Sequence, residues 1–201
     1  MTTPINTNNP KGKRRMILDV RTMTHIALLA AILVVCSQIT IPFPGGVPIT
    51  LQTFAIALIA YIMGSYKGAL TLIIYLGLGA IGLPVFAGFK GGFDTLIGPT
   101  GGYLIGFLPM IVLIGWFPAG ETVKETKKMF FIRIAMGLVG LGICHTAGIF
   151  RLSAVTGMPL AAAFAAGSAP FIIKDVLSIV LAYRIAVAVR RQLNRATLST
   201  R

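Results

Sequence analysis

One acidic residue lies in an apolar stretch where a charge is costly. Asp175 is part of the sequence PFIIKDVLS at residues 170–178. A carboxylate near the middle of a membrane helix costs about 2.5–3.5 kcal/mol on insertion scales, so an acid retained there marks a functional site by default. We therefore predict that Asp175 faces a polar ligand. The alternative is that Lys174 and Asp175 only mark the outer interface, with the Lys174 ammonium reaching into water.

Two polar side chains flank Asp175 in the sequence. Lys174 points about 100° away from it around a helix, so the two need not pair. Ser178, three residues on, shares the face of Asp175. About 15 residues separate Asp175 from Arg190 at the inner surface, which places the carboxylate about 22 Å outward in a core about 30 Å thick.

Polar residues also open the second apolar segment, which begins ITLQT at residue 49. The Gln52 amide has two donor hydrogens and an acceptor that need partners in an apolar bundle. Its place beside a proline- and glycine-rich connector at residues 40–48 puts it near the depth of Asp175. Two interpretations remain open: an N-cap by Thr50 with an interhelical hydrogen bond, or a contact between Gln52 and a ligand.

The most unusual stretch is GGFDTLIGPTGGY at residues 91–103. Glycines let backbone amides approach a ligand, and irregular backbone at membrane depth is tolerated only where it is buried or lines a cavity. The start of the following helix also offers N–H groups to an anion such as a carboxylate. A packed outer loop is the alternative. The candidate ligand contacts in this region are Lys90, Phe93, Gly98, Thr100, Gly101 and Tyr103, with Phe86 and Phe89 as further members of an apolar wall or lid.

The other titratable residues do not predict catalysis. His25 is interpreted as interfacial, and His145 as packed or hydrogen-bonded, since the adjacent Cys144 cannot share a metal-binding face with it. The sequence has no zinc-ligand spacing, G-x-S-x-G or Walker motif. Its five acids leave little for hydrolysis. We therefore expect no enzyme activity, no metal, no cofactor and no ATPase within the chain.

The composition requires a membrane around these residues. Of the 201 residues, 56% are hydrophobic and 11% are charged, against about 45–50% and about 25% in soluble domains. A helix needs about 20 residues to cross the bilayer core. We predict an all-α polytopic membrane protein with six transmembrane helices, near residues 22–39, 49–63, 68–83, 103–119, 129–150 and 166–189.

The charge distribution predicts the orientation. The formal net charge is +13. With six crossings, most of the 18 basic residues fall on the side of the termini, whereas the loops of the other side hold only Lys90 and Arg151. The positive-inside rule then places both termini in the cytoplasm of a prokaryotic cell, and nucleic acid is not needed to explain the charge. A disordered basic tail at 1–21 and a basic tail at 192–201 would flank a membrane domain at 22–191.

The first segment carries Ala27 and Ala31, four residues apart. Small-xxx-small spacing lets helices approach closely in lipid. A contact within the chain and a contact with another membrane subunit both remain open.

Three motifs carry a resemblance to a known family. They are VPITLQT at 47–53, GAIGLPVFAG at 79–88 and GPTGGYLIGF at 98–107. With them, the chain resembles the BioY family, the biotin-specific S components of energy-coupling factor (ECF) vitamin transporters, over about residues 22–191. The resemblance implies six helices, a substrate pocket toward the outer face, a membrane-embedded coupling subunit that Ala27 and Ala31 would face, and two ATPase subunits.

This sequence departs at one position from the family pattern. The last helix of the family tends to carry Asp with Lys three residues later, but here Ser178 has that spacing and Lys174 precedes Asp175. Either Lys174 or Ser178 therefore takes the lysine role. The resemblance implies that Asp175 accepts from a ureido N–H of biotin, while Gln52, Lys174 or Ser178 donates to the ureido carbonyl. Loop amides or Lys90 would hold the biotin carboxylate.

Two other functions compete with biotin capture. The first is an S component for another vitamin. In an S component for either vitamin, the connector at 40–48 would close over the bound vitamin as a lid. A self-sufficient secondary transporter is the alternative of a different class, and it usually shows an inverted repeat. No convincing repeat is evident in the sequence.

Overall fold

A computed structural model describes residues 19–117 and 126–199 of the chain. Most of the predicted N-terminal tail and most of the charged hinge at 120–128 lie outside these ranges. The elements in chain order are α1 Val20–Gln38, β1 Thr40–Ile41, β2 Ile49–Thr50, α2 Gln52–Ala80, α3 Phe93–Ile97, α4 Gly101–Gly115, α5 Lys127–Thr156, α6 Leu160–Gly167 and α7 Ile172–Ser199. The described part of the chain is thus predominantly helical, as predicted.

Helix α2 is a hairpin of two helical arms, residues 52–63 and 65–80. Gly64 interrupts the helix with φ 76° and ψ 179°. Residues with a side chain rarely adopt this backbone conformation. In a straight helix, Gln52 and Tyr75 would lie about 34 Å apart. Instead, Gln52 Nε2 donates to Tyr75 Oη at 2.9 Å. The chain therefore reverses at Gly64, which confirms the predicted break at 64–67.

Three helices of the described chain are long and apolar enough to cross a membrane by length and composition, namely α1, α2 and α5. Helix α4 is apolar but has only 15 residues. Helix α7 has 28 residues, and its first half carries the charged residues Lys174, Asp175 and Arg184. Its charge is the reason that hydropathy alone does not single it out.

Glycines allow α4 and α5 to pack closely. A Cβ at Gly106 would lie 2.9 Å from Cys144 Cα, and a Cβ at Gly140 would lie 3.1 Å from Met110 Cα. Larger residues at these positions would push the two helices apart. The close approach brings Tyr103, in the first turn of α4, against the ring of His145 on α5, with ring centroids 5.9 Å apart.

The start of the last helix differs from the prediction. The sequence predicts the sixth segment from residue 166, but α5 extends to Thr156, α6 follows, and α7 begins only at Ile172. Pro170 explains the break, because it has no N–H to donate within a helix and its ring clashes with the preceding turn. Asp175 consequently lies in the first turn of α7, and its N–H donates to Phe171 O at 2.8 Å.

The connector between α1 and α2 forms a small hairpin. Strands β1 and β2 pair antiparallel, with Thr40 opposite Thr50. Phe43 at the hairpin tip packs edge-on against Phe171, with ring centroids 5.5 Å apart. This contact places the connector over the break between α6 and α7, beside Asp175.

Candidate ligand-binding site

A pocket opens where the connector hairpin, α2, α4, α5 and α7 meet. Its empty space is about 750 Å³ when the open solvent at its mouth is counted. Apolar and polar groups alternate along its wall. Its polar lining consists of Thr50, Gln52, Thr53, Lys90, Thr95, Thr100, Tyr103, Cys144, His145, Lys174 and Asp175.

The Asp175 carboxylate forms part of this wall. The residue is only 3% exposed, and its side chain is held on both oxygens. His145 Nε2 lies 3.2 Å from Oδ2, and the Lys174 ammonium donates to Oδ1. A carboxylate can accept about four hydrogen bonds, so acceptor sites remain for a ligand.

The pairing of Lys174 with Asp175 corrects the expectation that the two need not meet. Adjacent Cα–Cβ bonds diverge around a helix, but the flexible four-carbon stem of lysine compensates for this angle. Lys174 Nζ also donates to Thr50 O on β2 at 2.7 Å. The lysine therefore ties the connector hairpin to Asp175 at the edge of the pocket.

The structure bears out the interhelical hydrogen bond expected of Gln52 but not the N-cap by Thr50, because Leu51 is the N-cap residue of α2 and no side chain caps it. Its Oε1 accepts from Thr50 Oγ1 at 3.0 Å, and its Nε2 donates to Tyr75 Oη on the second arm of α2. Gln52 therefore makes the expected interhelical hydrogen bond and also lines the pocket. Among the described residues, Tyr75 Oη is the one hydrogen-bond acceptor of Gln52 Nε2.

The glycine-rich loop contributes only part of the predicted set. Lys90, Thr100 and Tyr103 line the pocket. Phe93 does not, because it is 62% exposed. The glycines serve the backbone instead: a Cβ at Gly98 would lie 2.9 Å from Asp94 O, and one at Gly101 would overlap the Leu96 carbonyl.

The glycines at 98 and 101 therefore close the turn between α3 and α4 rather than approach the pocket. Phe89 is exposed, so it forms no part of the wall, whereas Phe86 is buried and lines the pocket as predicted.

Ser178 also lies away from the pocket. It is buried, but it lines a separate, mainly apolar groove between the start of α2 and α7, with Leu51, Phe54 and Leu177. Ser178 is about one helical turn beyond Asp175, and Lys174 lines both this groove and the pocket. Of the two candidates for the lysine role, only Lys174 reaches the pocket.

His145 and Thr53 line the pocket but were not among the predicted ligand contacts. The position of His145 along α5 became informative only once the buried face of that helix was known. His145 lies three residues before Gly148 and four after Leu141, both of which are buried, so it shares the inward face of α5. Among the described residues, no group of three His, Cys, Asp or Glu side chains forms a metal site.

Ala27 and Ala31 lie on the outer surface of α1, far from the pocket. Both are exposed, as are Leu28 and Val35 beside them. An internal helix contact is therefore not the role of this pair in the described chain.

Comparisons with known proteins agree with this architecture. The model of the BioY family matches residues 8–195. The biotin transporter BioY of Thermotoga maritima is 40% identical over 171 residues, which are 85% of this chain and 96% of that protein. The biotin transporter BioY2 of Lactococcus lactis is 37% identical, covering 86% and 91% of the two chains. A 2.1 Å crystal structure of the S-component for biotin from an ECF-type ABC transporter superposes with a TM-score of 0.76 at 29% identity, over 86% of this chain and 92% of that one.

Proposed function

This chain belongs to the BioY family, and we propose that it is the biotin-binding S component of an ECF importer. It captures biotin on the outer side of the cell membrane and has no catalytic activity of its own. The observation that carries the proposal is the Asp175 carboxylate, buried in the wall of a pocket that polar and apolar side chains line together. The relatives of this chain are biotin transporters, and the sequence similarity extends over nearly their whole length.

The chain crosses the membrane six times in this proposal, through α1, the two arms of α2, α4, α5 and α7. The arms of α2 are about 18 and 24 Å long, shorter than the bilayer core of about 30 Å. Short crossings are tolerable where they border an aqueous pocket or a partner rather than lipid alone. The excess of basic residues near the termini supports a cytoplasmic location for both ends.

Biotin offers groups that match the two ends of the pocket. Its ureido ring has two N–H donors and a carbonyl acceptor, so one N–H donates to Asp175 while Lys174 or Gln52 donates to the carbonyl. The apolar thioether ring packs against Phe86 and Phe107, which line the pocket.

The valerate carboxylate then reaches the loop side of the pocket. Lys90, Thr95 and Thr100 line this side and supply a charge and hydroxyl donors. The connector hairpin covers the outer opening as a lid, because Val47 and Pro48 already form part of the wall.

The energy for uptake comes from partners in this proposal. A membrane-embedded coupling subunit packs on the exposed face of α1 at Ala27 and Ala31, and two ATPase subunits act on that subunit. Exposed small residues support this docking, because they let a second helix approach closely.

Biotin binding by the purified full chain tests the proposal. Wild type binds biotin but not thiamine or riboflavin, and Asp175→Ala weakens binding at least about tenfold, because the ureido N–H loses a charged acceptor. Asp94→Asn is the matched control, since Asp94 lies in the same outer region but does not line the pocket, and it keeps wild-type affinity. Tight binding of another vitamin, or unchanged biotin affinity in Asp175→Ala, would contradict the proposal.

A further inference from the structure

Both ring nitrogens of His145 are engaged at the inner wall of the pocket. Nδ1 lies 2.8 Å from Ser168 Oγ, and Nε2 lies 3.2 Å from Asp175 Oδ2. The His145 and Asp175 side chains are 12% and 5% exposed. His145 therefore connects the break between α6 and α7 to the carboxylate assigned to biotin.

Hydrogen-bond chemistry fixes the arrangement of the neutral ring. An ionised carboxylate only accepts, so the hydrogen of neutral imidazole lies on Nε2 and points to Asp175. Nδ1 is then an acceptor and receives the Ser168 hydroxyl hydrogen. Tyr103 Oη donates to Gly167 O at 2.7 Å and so does not compete for Nδ1.

The same network accommodates a second proton on the ring. Protonated Nδ1 donates to Ser168 Oγ, and the Ser168 hydroxyl rotates to donate to Tyr103 Oη, 3.3 Å away. Hydroxyl hydrogens rotate freely to suit their partners. In both protonation states of His145, each ring nitrogen therefore has a hydrogen-bond partner.

The two protonation states of His145 differ in how strongly the Asp175 carboxylate accepts a hydrogen bond from a ligand. The charged and titratable groups around His145 are Asp175 and Lys174 from α7, Tyr103 from α4, Cys144 from α5 and Lys90 from the loop. With a neutral ring, Lys174 is the only cation bonded to the carboxylate among the described residues. With a protonated ring, two cations share one carboxylate, which then attracts a ligand N–H less strongly.

We propose that His145 is a positioning residue that orients Asp175 for the ureido group, and that biotin affinity falls when its imidazole is protonated. The inference rests on the proposed function, because biotin is the ligand whose N–H groups compete for Asp175. The neutral ring holds Oδ2 with an uncharged donor, and the lone pairs that Lys174 and Thr53 do not use remain for a ligand. The protonated ring occupies the same oxygen with a strong, charged donor.

The variant His145→Gln separates the charge from the hydrogen bond. Glutamine keeps an N–H donor near the position of Nε2 but stays uncharged at all pH values used. We expect acidification from about pH 7.5 to about pH 5.5 to weaken the binding of biotin to wild type about tenfold. We expect His145→Gln to bind within about threefold of wild type at about pH 7.5 and to lose the acid dependence.

Two controls and a second variant isolate the role of the imidazole. His25→Gln, which changes the only other histidine, keeps the wild-type pH profile. Biotin amide, which has no titrating carboxylate, shows the same acid loss as biotin. His145→Leu binds more weakly than His145→Gln at about pH 7.5, because the carboxylate loses its donor.

Titration calorimetry on the purified full chain gives these affinities, with size-exclusion profiles as a check on folding. An acid loss in His145→Gln equal to that of wild type would overturn the inference, as would wild-type affinity in a folded His145→Leu. Absence of biotin binding by wild type at about pH 7.5 would instead overturn the proposed function, and the inference with it.

Discussion

At the scale of single residues, Lys174 carries more than its position in the sequence suggests. Its ammonium contacts the Asp175 carboxylate and the Thr50 carbonyl, and it lines the pocket. One side chain thus neutralises the buried acid, fastens the connector and presents a donor to a ligand. A buried acid without such a partner would be strongly disfavoured in a membrane.

The substitution Lys174→Met tests this role while keeping the length of the side chain. We predict a loss in biotin affinity of about tenfold or more, because a hydrogen bond to a charged group is worth about 1.5–3 kcal/mol. Equilibrium binding of labelled biotin to the purified chain measures it. Ser178→Ala is the matched control, and we expect it to change the affinity by no more than about twofold, because Ser178 lies outside the pocket. A larger loss in Ser178→Ala than in Lys174→Met would reverse the assignment.

Residue types in the sequence predicted the polar centre of the site but not all of its contacts. An intramembrane acid is rare enough to stand out alone, and Asp175 does lie in the pocket wall. His145 did not stand out, because its importance depends on which face of α5 meets α7. Phe93 and Gly98 were predicted as contacts from the irregular, glycine-rich loop that holds them, but neither lines the pocket.

At the scale of elements, the path of the chain follows from a few breaks. Gly64 reverses α2, and Pro170 delays the start of α7. The first break was predictable, because a glycine and polar residues interrupt an apolar run. The second was not, because α6 is apolar and continuous in hydropathy with the segment that follows. Hydropathy reflects how apolar a segment is. A helix break within an apolar run depends instead on whether each residue has a backbone N–H to donate, and Pro170 has none.

Helix packing also shapes the pocket wall. Gly79, near the end of α2, lies directly against the ring of Phe86, so that any Cβ there would overlap the ring. We predict that Gly79→Ala displaces Phe86 and weakens biotin binding by several-fold, because Phe86 forms part of the wall. Gly77→Ala, on the same helix with open space at its Cβ position, is the matched control and should bind as wild type.

Binding isotherms of the two glycine variants, with thermal melting to confirm folding, give the comparison. Equal affinity in Gly77→Ala and Gly79→Ala would show that Phe86 does not limit the fit of the ligand.

At the scale of the whole molecule, the pocket and the exposed face of α1 lie on different parts of the surface. Ala27 and Ala31 are exposed and do not line the pocket. Ligand capture and docking on the coupling subunit should therefore be separable by mutation. This separation is expected of a subunit that binds its ligand itself and takes energy from partners.

The double substitution of Ala27 and Ala31 by Trp tests the separation. We predict that it abolishes co-purification with the coupling subunit, because two bulky rings prevent close helix approach, while biotin affinity stays within about twofold of wild type. Val139→Trp, on the exposed face of α5, is the control and should leave the complex intact. Retention of the complex by the double variant would place the docking surface elsewhere.

A crystal structure of the chain with biotin measures the central claim most directly. We predict that a ureido N–H lies about 2.7–3.2 Å from an Asp175 carboxylate oxygen, with the valerate chain directed toward Lys90. Biotin bound with its carboxylate at Lys174, or bound in the groove beside Ser178 instead of the pocket, would contradict it.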